Sequence, residues 1–335
     1  MELDLVKYHG LGNDFLVQVG GDGAEGIDAA LARALCDRHR GVGADGVLHV
    51  SALGVGRVRM ELRNADGGLA ETSGNGLRCA VLAAVHSGMV AGAEMVVETL
   101  AGTVRAEVVT PQSYRAGLVR VEMGEAAVGP ELALSELVEP PRVPGEDLPA
   151  GGLAWHLARD DVVGALAGAM TRRVAVGNPH LVLYRAGRDD RAALRIDRLG
   201  PALEASVAGG VNVEIVGVPA GGDTLLVDVW ERGVGITLAC GSGSCAAAAA
   251  SRAAGLVGDV VHVVNPGGTL LVELSGDLLA PSAVLTGPAR RVGRVLVDTD
   301  ELFASVSDGV GPDGVRPDGV EPTVGAVARA VRSRV

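Results

Sequence analysis

The chain is 335 residues long, carries a formal net charge of −12 and contains only 2% aromatic residues. This length predicts two domains, each able to bury its own core, and the scarcity of aromatics means that Val, Leu, Ala and Ile must build those cores. The acidic balance, without a block of Lys or Arg, argues against nucleic acid or an anionic membrane as a partner. These features favour an enzyme that acts on a small molecule.

The N-terminal residues have no basic region ahead of a long apolar run, so we expect no secretory signal. The four cysteines then indicate reduced thiols in a cytoplasmic protein. Further along the first half, apolar periodicity predicts helices over 29–39 and 75–87. It predicts strands over 3–8, 15–19, 47–51, 58–63, 95–99, 103–109 and 117–123.

The second half predicts a similar order of elements. A helix is expected over 241–254, and strands over 173–176, 180–184, 211–216, 224–230, 260–264, 269–274 and 283–286. The predicted fold class is α+β, with two pseudo-symmetric strand-rich halves that each wrap around a central helix. The active site is expected in the cleft between them.

Two segments interrupt this pattern. Five prolines from Pro130 to Pro149 predict an irregular insertion over about 128–150. Repeated Asp-Gly-Val triplets predict a flexible tail over 303–335, with a short terminal helix over 324–335. The predicted domains are therefore 1–122 together with about 283–302, and 123–282.

Three short motifs occur twice, in the same order and at nearly equal separations. Gly12-Asn13 is echoed by Gly177-Asn178 (177 − 12 = 165), and Asn64 by Glu231 (231 − 64 = 167). Ser73-Gly74-Asn75-Gly76 is echoed by Cys240-Gly241-Ser242-Gly243 (240 − 73 = 167). A pseudo-twofold axis between two such units would place residues 73 and 240 on opposite sides of one cleft.

The third motif has the pattern expected of an acid–base pair. Ser73 and Cys240 each carry a proton-transferring atom directly before Gly-x-Gly at a predicted helix start. Free backbone N–H groups and the helix dipole make such a start a site for an anion, for example a substrate carboxylate. We expect the same field to lower the thiol pKa from its usual value of about 8.5. Inverting the α-carbon of an amino acid needs an acid and a base on opposite faces and donors for the developing charge.

At these residues the chain resembles the diaminopimelate epimerase family, which inverts one stereocentre of LL-diaminopimelate without pyridoxal phosphate. The resemblance runs from residue 1 to about 290. It rests on 7–15 (KYHGLGNDF), 63–67 (RNADG), 74–79 (GNGLRC), 177–180 (GNPH), 231–235 (ERGVG), 239–243 (ACGSG) and 285–289 (LTGPA).

The resemblance implies a role for each matched position. Cys240 and Ser73 would be the catalytic pair, and Gly74, Asn75, Gly241 and Ser242 would bind the carboxylate at the reacting centre. The distal amino-acid end of the substrate would be held by Asn13, Asn64, Asn178, Asn212, Glu231 and Arg232. The resemblance implies neither a metal nor a cofactor, and at family level it implies a homodimer.

The chain departs from the family at two positions. Ser73 stands where the family has its first catalytic cysteine, and Ile236 stands where the family usually has Glu, next to the second helix start. A serine hydroxyl is rarely ionised at neutral pH, so Ser73 is a poor base. It could be an engineered replacement, part of a natural Ser/Cys pair, or the mark of a changed reaction.

Other interpretations stay open at this stage. The chain could be a one-base isomerase or dehydratase of specialised metabolism on the same fold, or a catalytically silent amino-acid-binding protein. Asn13 and Asn178 could serve only as turn residues. For the other three cysteines, and for the histidines near the motifs, the chain favours buried or hydrogen-bonding roles over metal binding; these residues are Cys36, Cys79, Cys245, His9, His39 and His180.

Overall fold

The computed structural model of the chain describes residues 2–20, 26–70, 73–113, 115–133, 169–184 and 194–307. In the first half the elements are β1 (Glu2–Gly10), β2 (Asn13–Gly20), α1 (Ala29–Cys36), β3 (Gly46–Gly54), β4 (Arg57–Asn64), β5 (Leu69–Ala70), α2 (Gly74–His86), β6 (Glu94–Thr99), β7 (Gly102–Ser113) and β8 (Ala116–Glu125).

The second half has a matching series. Its elements are β9 (Ala127–Ala133), β10 (Met170–Ala175), β11 (Pro179–Tyr184), α3 (Ile196–Ser206), β12 (Asn212–Gly217), β13 (Thr224–Glu231), β14 (Gly235–Thr237), α4 (Gly241–Ala253), β15 (Val260–Asn265), β16 (Gly268–Gly276), β17 (Pro281–Asp298) and α5 (Thr299–Ser307).

Strand pairing repeats between the halves, as the motif spacing predicted. The parallel pair β2–β3 is matched by the parallel pair β11–β12. The parallel pair β4–β6 is matched by β13–β15. The remaining neighbours within each half are antiparallel hairpins. The predicted α+β architecture of two strand-rich halves is therefore confirmed.

Two segments, the long strand β17 and the consecutive strands β8 and β9, pass from one half to the other and close each half into a barrel within one continuous sheet. β17 pairs with β16 of the second half near its start and with β1 of the first half near its end. The consecutive strands β8 and β9 cross in the opposite direction, since β8 pairs with β7 of the first half and β9 pairs with β10 of the second half. β8 and β17 also pair with each other, so each half is completed by a strand from its partner half.

Each barrel is filled by one helix. The apolar side chains of α2 pack with the first-half strands in one buried cluster, and those of α4 pack with the second-half strands in another. Ala246 to Ala250 of α4 are fully buried. Their small side chains let the strands approach the helix closely, and a larger residue in such a core costs about 1–3 kcal/mol.

Several predicted boundaries need correction. α1 ends at Cys36, three residues before the predicted end, because the Asp37 side chain accepts hydrogen bonds from the N–H groups of His39 and Arg40 and begins a turn. Residues 127–133 form β9, although Pro130 predicted an irregular loop there. The register of β9 against β10 shifts beside Pro130, and a bulge is one of the few places where a strand tolerates proline.

The structure also adds elements to those predicted. α3, α5 and the short strands β5, β9 and β14 were not expected. α5 packs on α1 and covers 303–307, the first residues of the predicted tail. The rest of that tail, the terminal helix over 324–335 and most of the proline-rich insertion lie outside the described residues. No helix in the described ranges has both the length and the hydropathy to cross a membrane.

Candidate active site

The site lies where α2 and α4 begin. Ser73 is the N-cap of α2, and its Oγ accepts a hydrogen bond of 3.0 Å from the N–H of Gly76. Cys240 is the N-cap of α4, and its Sγ accepts one of 3.4 Å from the N–H of Gly243. Both caps have extended backbones, so the two predicted helix starts are structurally equivalent.

The two helix starts abut across the boundary between the halves. A Cβ atom added to Gly74 would lie 3.1 Å from the Cα of Gly241, and one added to Gly241 would lie 3.0 Å from the Cα of Gly74. Only glycine permits this approach. The N–H groups of the first two residues of each helix have no partner within their own helix. Four such groups, from Gly74, Asn75, Gly241 and Ser242, therefore lie at the two helix ends that meet where the halves join.

Asn75 connects the halves through its side chain. Its Nδ2 donates to the carbonyl oxygen of Ala239, directly before Cys240, at 2.8 Å, and to Oδ1 of Asn13 at 3.2 Å. Asn75 is only 3% exposed, so these bonds lie in a nearly dry environment. The structure thus brings Asn13 and Asn75 of the first half to the thiol of the second.

Asn13 is held from behind by an ion cluster that sequence reasoning missed. Its Nδ2 donates to Oδ2 of Asp45 at 2.7 Å, and Arg38 bridges Asp45 and Asp14 at 2.7 Å to each. Lys7 lies 2.7 Å from the other oxygen of Asp14. Burial acts to raise the pKa of Asp14, but the hydrogen bonds from Arg38 and Lys7 prevail and lower that pKa to about 2. This cluster fixes Asn13 rather than leaving it as a turn residue.

The second half contains its own series of buried side chains that are joined by hydrogen bonds. His180 hydrogen bonds with Oδ1 of Asn178 at 2.8 Å through Nε2 and with Oε1 of Glu214 at 2.7 Å through Nδ1. The side chains of His180 and Glu214 are both fully buried. Oε1 of Glu214 also lies beside Gly243, since a Cβ atom there would be 2.5 Å from it. Glu214 therefore lies directly against the start of α4.

Glu214 was not predicted as a site residue, although the sequence carries a signal for it. Asn212 and Glu214 are two apart on one strand, and alternate residues share a face. A carboxylate inside a strand whose residues are all buried is also a polar group that needs a specific partner. Both observations could have assigned Glu214 to the site beside Asn212.

Asn212 lies beside the turn after β13, among residues that the resemblance assigns to the distal end of the substrate. Oδ1 of Asn212 accepts from the backbone N–H of Arg232 at 2.9 Å, and its Nδ2 donates to the carbonyl of Pro179 at 3.1 Å. The guanidinium of Arg232 donates to the carbonyl of Gly209 at 3.1 Å. Thr237 donates to Oε1 of Glu231 at 2.6 Å. These contacts orient the Glu231-Arg232 pair.

Asn64 is the least connected of the predicted residues. Its side chain is exposed, at the end of β4. The next residue, Ala65, donates its N–H to the carbonyl of Asp45 at 3.1 Å, so the turn of Asn64 lies beside the residue that holds Asn13.

The expected lowering of the thiol pKa is wrong for this structure. Burial raises the pKa of Cys240 well above its usual value, and the nearby carboxylates of Glu231 and Glu214 raise it further. Hydrogen bonds from Ser242 and the N–H of Gly243 act in the opposite direction but do not prevail. Cys240 is 5% exposed, so desolvation dominates the field of the helix start.

The same burial affects the neighbouring carboxylate. Desolvation raises the pKa of Glu231, although hydrogen bonds with Thr237 and Cys240 act to lower it. The raised pKa makes Glu231 a better proton acceptor for the neighbouring thiol of Cys240 than an exposed carboxylate would be. Ile236, by contrast, is 56% exposed, so its side chain lies on the surface while Glu231 and Glu214 supply the carboxylates beside Cys240.

Within the ranges that the structure describes, no three His, Cys, Asp or Glu residues are grouped as metal ligands. Cys36, Cys79 and Cys245 are free and buried, as predicted, and burial raises the pKa of each to about 12.

Comparison with known proteins agrees with this geometry. A family model described as diaminopimelate epimerase matches residues 5–128 and 173–292. A diaminopimelate epimerase from Desulforudis audaxviator is 38% identical over 293 residues, covering 87% of this chain and 97% of the relative. The chain belongs to the diaminopimelate epimerase family. A second relative of this name, from Synechocystis, is 37% identical and covers 87% of this chain and 98% of its own length.

Solved structures share the fold of this family at low sequence identity. A hydroxyproline epimerase from Agrobacterium vitis superimposes with a TM-score of 0.61 at 18% identity, covering 93% of this chain and 96% of its own. A phenazine biosynthesis protein from Bacillus anthracis superimposes with a TM-score of 0.62 at 12% identity, covering 89% and 99%. These likenesses support the double-barrel fold alone.

Proposed function

We propose that this chain epimerises LL-diaminopimelate to meso-diaminopimelate, a step of lysine biosynthesis, without pyridoxal phosphate. The observation that carries the proposal is the contact of two N-capped helix starts at Gly74 and Gly241, in a chain that belongs to the diaminopimelate epimerase family. The caps carry a hydroxyl and a thiol on either side of four grouped N–H donors. The curated relatives favour this reaction over a one-base isomerase, a dehydratase or a silent binding protein.

The substrate lies across the boundary between the halves in this proposal. Its reacting carboxylate takes the N–H groups at the two helix starts, because the dipoles of α2 and α4 both favour an anion there. Its distal amino-acid end takes the remaining polar side chains, and Arg232 offers two parallel donors to the distal carboxylate. The proposed distal residues are Asn13, Asn64, Asn178, Asn212 and Arg232, whereas Glu231, which the resemblance also assigned to that end, lies beside Cys240.

The proton path on the thiol side runs through Glu231. Because burial raises the pKa of both Cys240 and Glu231, the thiol proton passes to a carboxylate that is already disposed to hold it. The resulting thiolate removes the α-proton of the substrate. The negative charge that develops on the carboxylate is stabilised by the N–H donors, which need no reorganisation.

Ser73 acts on the opposite face. Its hydroxyl donates a proton to the α-carbon, and the resulting alkoxide takes a proton from water. Glu231 then gives up the proton it accepted to the hydroxide that remains, which restores the starting state. Because an alkoxide is costly at neutral pH, this step limits the reaction, and reversal from the meso form is slower than in an enzyme with two thiols.

The decisive experiment is solvent deuterium exchange into LL- and meso-diaminopimelate. Inversion of the α-carbon with incorporation of one deuteron is the expected result. Label without inversion would instead indicate a one-base enzyme, and binding without label would indicate a silent protein.

The variant Ser73→Cys sharpens the same experiment. A thiol at this helix start is a better base and a better acid than a hydroxyl, so we expect kcat/KM to rise by the same factor in both directions, because a substitution leaves the equilibrium constant unchanged. Ser73→Ala is the matched control, and an equal effect of both substitutions would remove the proposed role of Ser73.

The proposal extends to organisation and location. The domain division given above, a cytoplasmic location and a homodimer are parts of it. The four free and buried cysteines support a reducing compartment, and the homodimer rests on the family alone. Size-exclusion chromatography with light scattering would measure the oligomeric state.

A further inference from the structure

A buried cation lies behind the helix start of the first half. Arg78, on α2, is 0% exposed and is the largest fully buried side chain of the described residues. Burial lowers its pKa to about 10, so the guanidinium is still charged at neutral pH. Within the described part of the chain, Arg78 forms no ion pair with a carboxylate.

All three hydrogen bonds of this guanidinium go to neutral oxygens of the site wall. One nitrogen donates to the carbonyl of Gly74 at 3.1 Å, a second to Oδ1 of Asn75 at 2.7 Å, and Nε to the carbonyl of Pro288 at 3.2 Å. Gly10 and Gly287 leave room for it, since a Cβ atom at either would lie 2.9 or 3.1 Å from a guanidinium nitrogen. An isolated buried charge is costly unless something compensates it.

The hydrogen bond to Asn75 has a direct consequence for the site. Because Oδ1 of Asn75 accepts from Arg78, its Nδ2 must face Ala239 and Asn13, to which it donates. Arg78 therefore sets which end of the Asn75 amide faces the other half. It thereby fixes the backbone of Asn75 at the second position of α2.

The cation has no counterpart in the other half. The repeat spacing of 167 residues relates Arg78 to Cys245 (245 − 78 = 167) and Asn75 to Ser242 (242 − 75 = 167). Around the start of α4 the charged groups are instead the carboxylates of Glu214 and Glu231. The pair of helix starts is thus electrically asymmetric, with the positive charge behind α2.

We infer that Arg78 is a positioning residue for the reaction, which orients Asn75 and supplies the positive charge that the substrate's reacting carboxylate balances. The inference rests on the proposed function. It means that Arg78, which does not contact the substrate, makes the site prefer an anion at the reacting centre. Substrate binding then completes the charge balance that the protein alone leaves open.

The test compares two ligands in the full-length protein. LL-diaminopimelate carries a carboxylate at the reacting centre. In its monocarboxamide, a neutral amide replaces one of the two carboxylates. The proposed distal residues, which we call the distal clamp, bind the remaining carboxylate, so the amide lies at the reacting centre. Isothermal titration calorimetry gives both dissociation constants, and their ratio measures the preference for the anion.

The variant Arg78→Met removes the charge and keeps the length of the side chain. We expect its preference for the carboxylate to fall about tenfold or more, since opposite charges several ångströms apart interact strongly in a protein interior. If the role of Arg78 were purely structural, the variant would bind both ligands more weakly by the same factor, and the ratio of the dissociation constants would be unchanged. Cys245→Ala, at the equivalent position of α4, is the control and is expected to keep the ratio.

The variant Arg78→Lys separates charge from orientation. It keeps the charge and loses the forked guanidinium that holds Asn75. We therefore expect the ratio of dissociation constants to be retained and kcat to fall by about tenfold or more, because small misplacements at a reacting centre are costly.

If Arg78→Met does not fold, Arg78→Lys decides alone, and an unchanged kcat overturns the inference. An unchanged ratio in a folded Arg78→Met, or no preference in the wild type, also overturns it. A wild type that prefers the carboxylate but does not epimerise overturns the proposed function instead.

Discussion

The start of α2 and the start of α4 present the same backbone to the boundary between the halves, yet opposite charges surround them. Behind α2 lies the guanidinium of Arg78, which donates to Gly74 and Asn75. Beside α4 lie the carboxylates of Glu214 and Glu231, which raise the pKa of Cys240. The backbone of the repeat thus provides two equal anion-binding starts, and a few substituted side chains give them different chemistry.

This difference assigns separate tasks to the two sides. The cation side stabilises the substrate carboxylate, and the carboxylate side accepts the thiol proton. A symmetric pair of cationic starts would bind the substrate anion more strongly, but it would leave Cys240 without a nearby proton acceptor. The comparison can be tested by changing one side at a time.

The largest effect is expected at the thiol. Cys240→Ala removes the proposed base, and we expect epimerisation to fall by roughly 10²–10⁴, the usual contribution of a general base. Ser73→Ala should cost less, because water can replace a hydroxyl as proton donor more easily than it replaces a thiolate. Deuterium exchange into LL-diaminopimelate measures both losses. Cys79→Ala, a buried cysteine on α2, serves as the control, and equal losses in the two cap variants would remove the proposed asymmetry.

A second test separates the two helix starts without touching a polar side chain. Gly241→Ala adds a Cβ atom 3.0 Å from the Cα of Gly74, so the starts must move apart. We expect kcat to fall on the order of 100-fold, because displacements of about 1 Å at a reacting centre have such effects. Gly258→Ala is the matched control, since its Cβ would meet nothing within 4 Å. Normal kinetics in Gly241→Ala would show that the contact is dispensable.

A third test addresses the ion cluster that holds Asn13, which the second half lacks because Pro179 stands at the repeat position of Asp14 (179 − 14 = 165). The pKa of Asp14 is depressed to about 2 in the folded state, below its unfolded value of about 3.9. Its stabilisation is therefore fully present above the unfolded pKa and is lost as the pH falls toward 2.

Asp14→Asn should accordingly lower the free energy of unfolding by about 1 kcal/mol at neutral pH, a value reduced from the full pKa shift because Arg38 is half exposed. The loss should shrink as the pH falls through the acid range, and urea denaturation at several pH values measures it. Asp4→Asn breaks the exposed ion pair with Arg294 and should change stability little. A loss independent of pH would mean that the charge of Asp14 does not act in this way.

The double-barrel fold was predictable because its information is local and repeated. Alternating apolar residues gave most strands within a few positions, and the paired Gly-x-Gly motifs gave both central helices. α3 was not predicted, and it contains Gly200 and Pro201, two residues that disfavour a helix interior; Ile196 nevertheless lies at the repeat distance from the first residue of α1 (196 − 29 = 167). Gly200 is explained by packing, since a Cβ atom there would lie 2.5 Å from the ring of Trp230.

The electrostatics of the site were not predictable in the same way. The helix starts were correctly located, but the pKa of Cys240 depends on burial and on Glu214, which the chain brings in from a strand 26 residues earlier (240 − 214 = 26). The isolated charge of Arg78 likewise emerges only when the strands that surround it are known. A motif identifies which atoms meet, whereas a pKa depends on everything that excludes water around them.

The smallest expected effect on catalysis tests whether α3, the helix that was not predicted, positions the distal clamp. Glu204 of α3 accepts hydrogen bonds from Nε1 of Trp230 at 2.6 Å and from the N–H of Gly233 at 2.9 Å, and thus holds both ends of the Glu231-Arg232 turn. Glu204→Gln keeps the shape but weakens both bonds, so we expect KM to rise about fivefold, equivalent to roughly 1 kcal/mol, with kcat nearly unchanged. Asp197→Asn, on the same helix and ion-paired with the exposed Arg195, is the control. A fall in kcat without a change in KM would move Glu204 from the distal clamp to the reacting side, and would mean that the two ends of the substrate are not held independently.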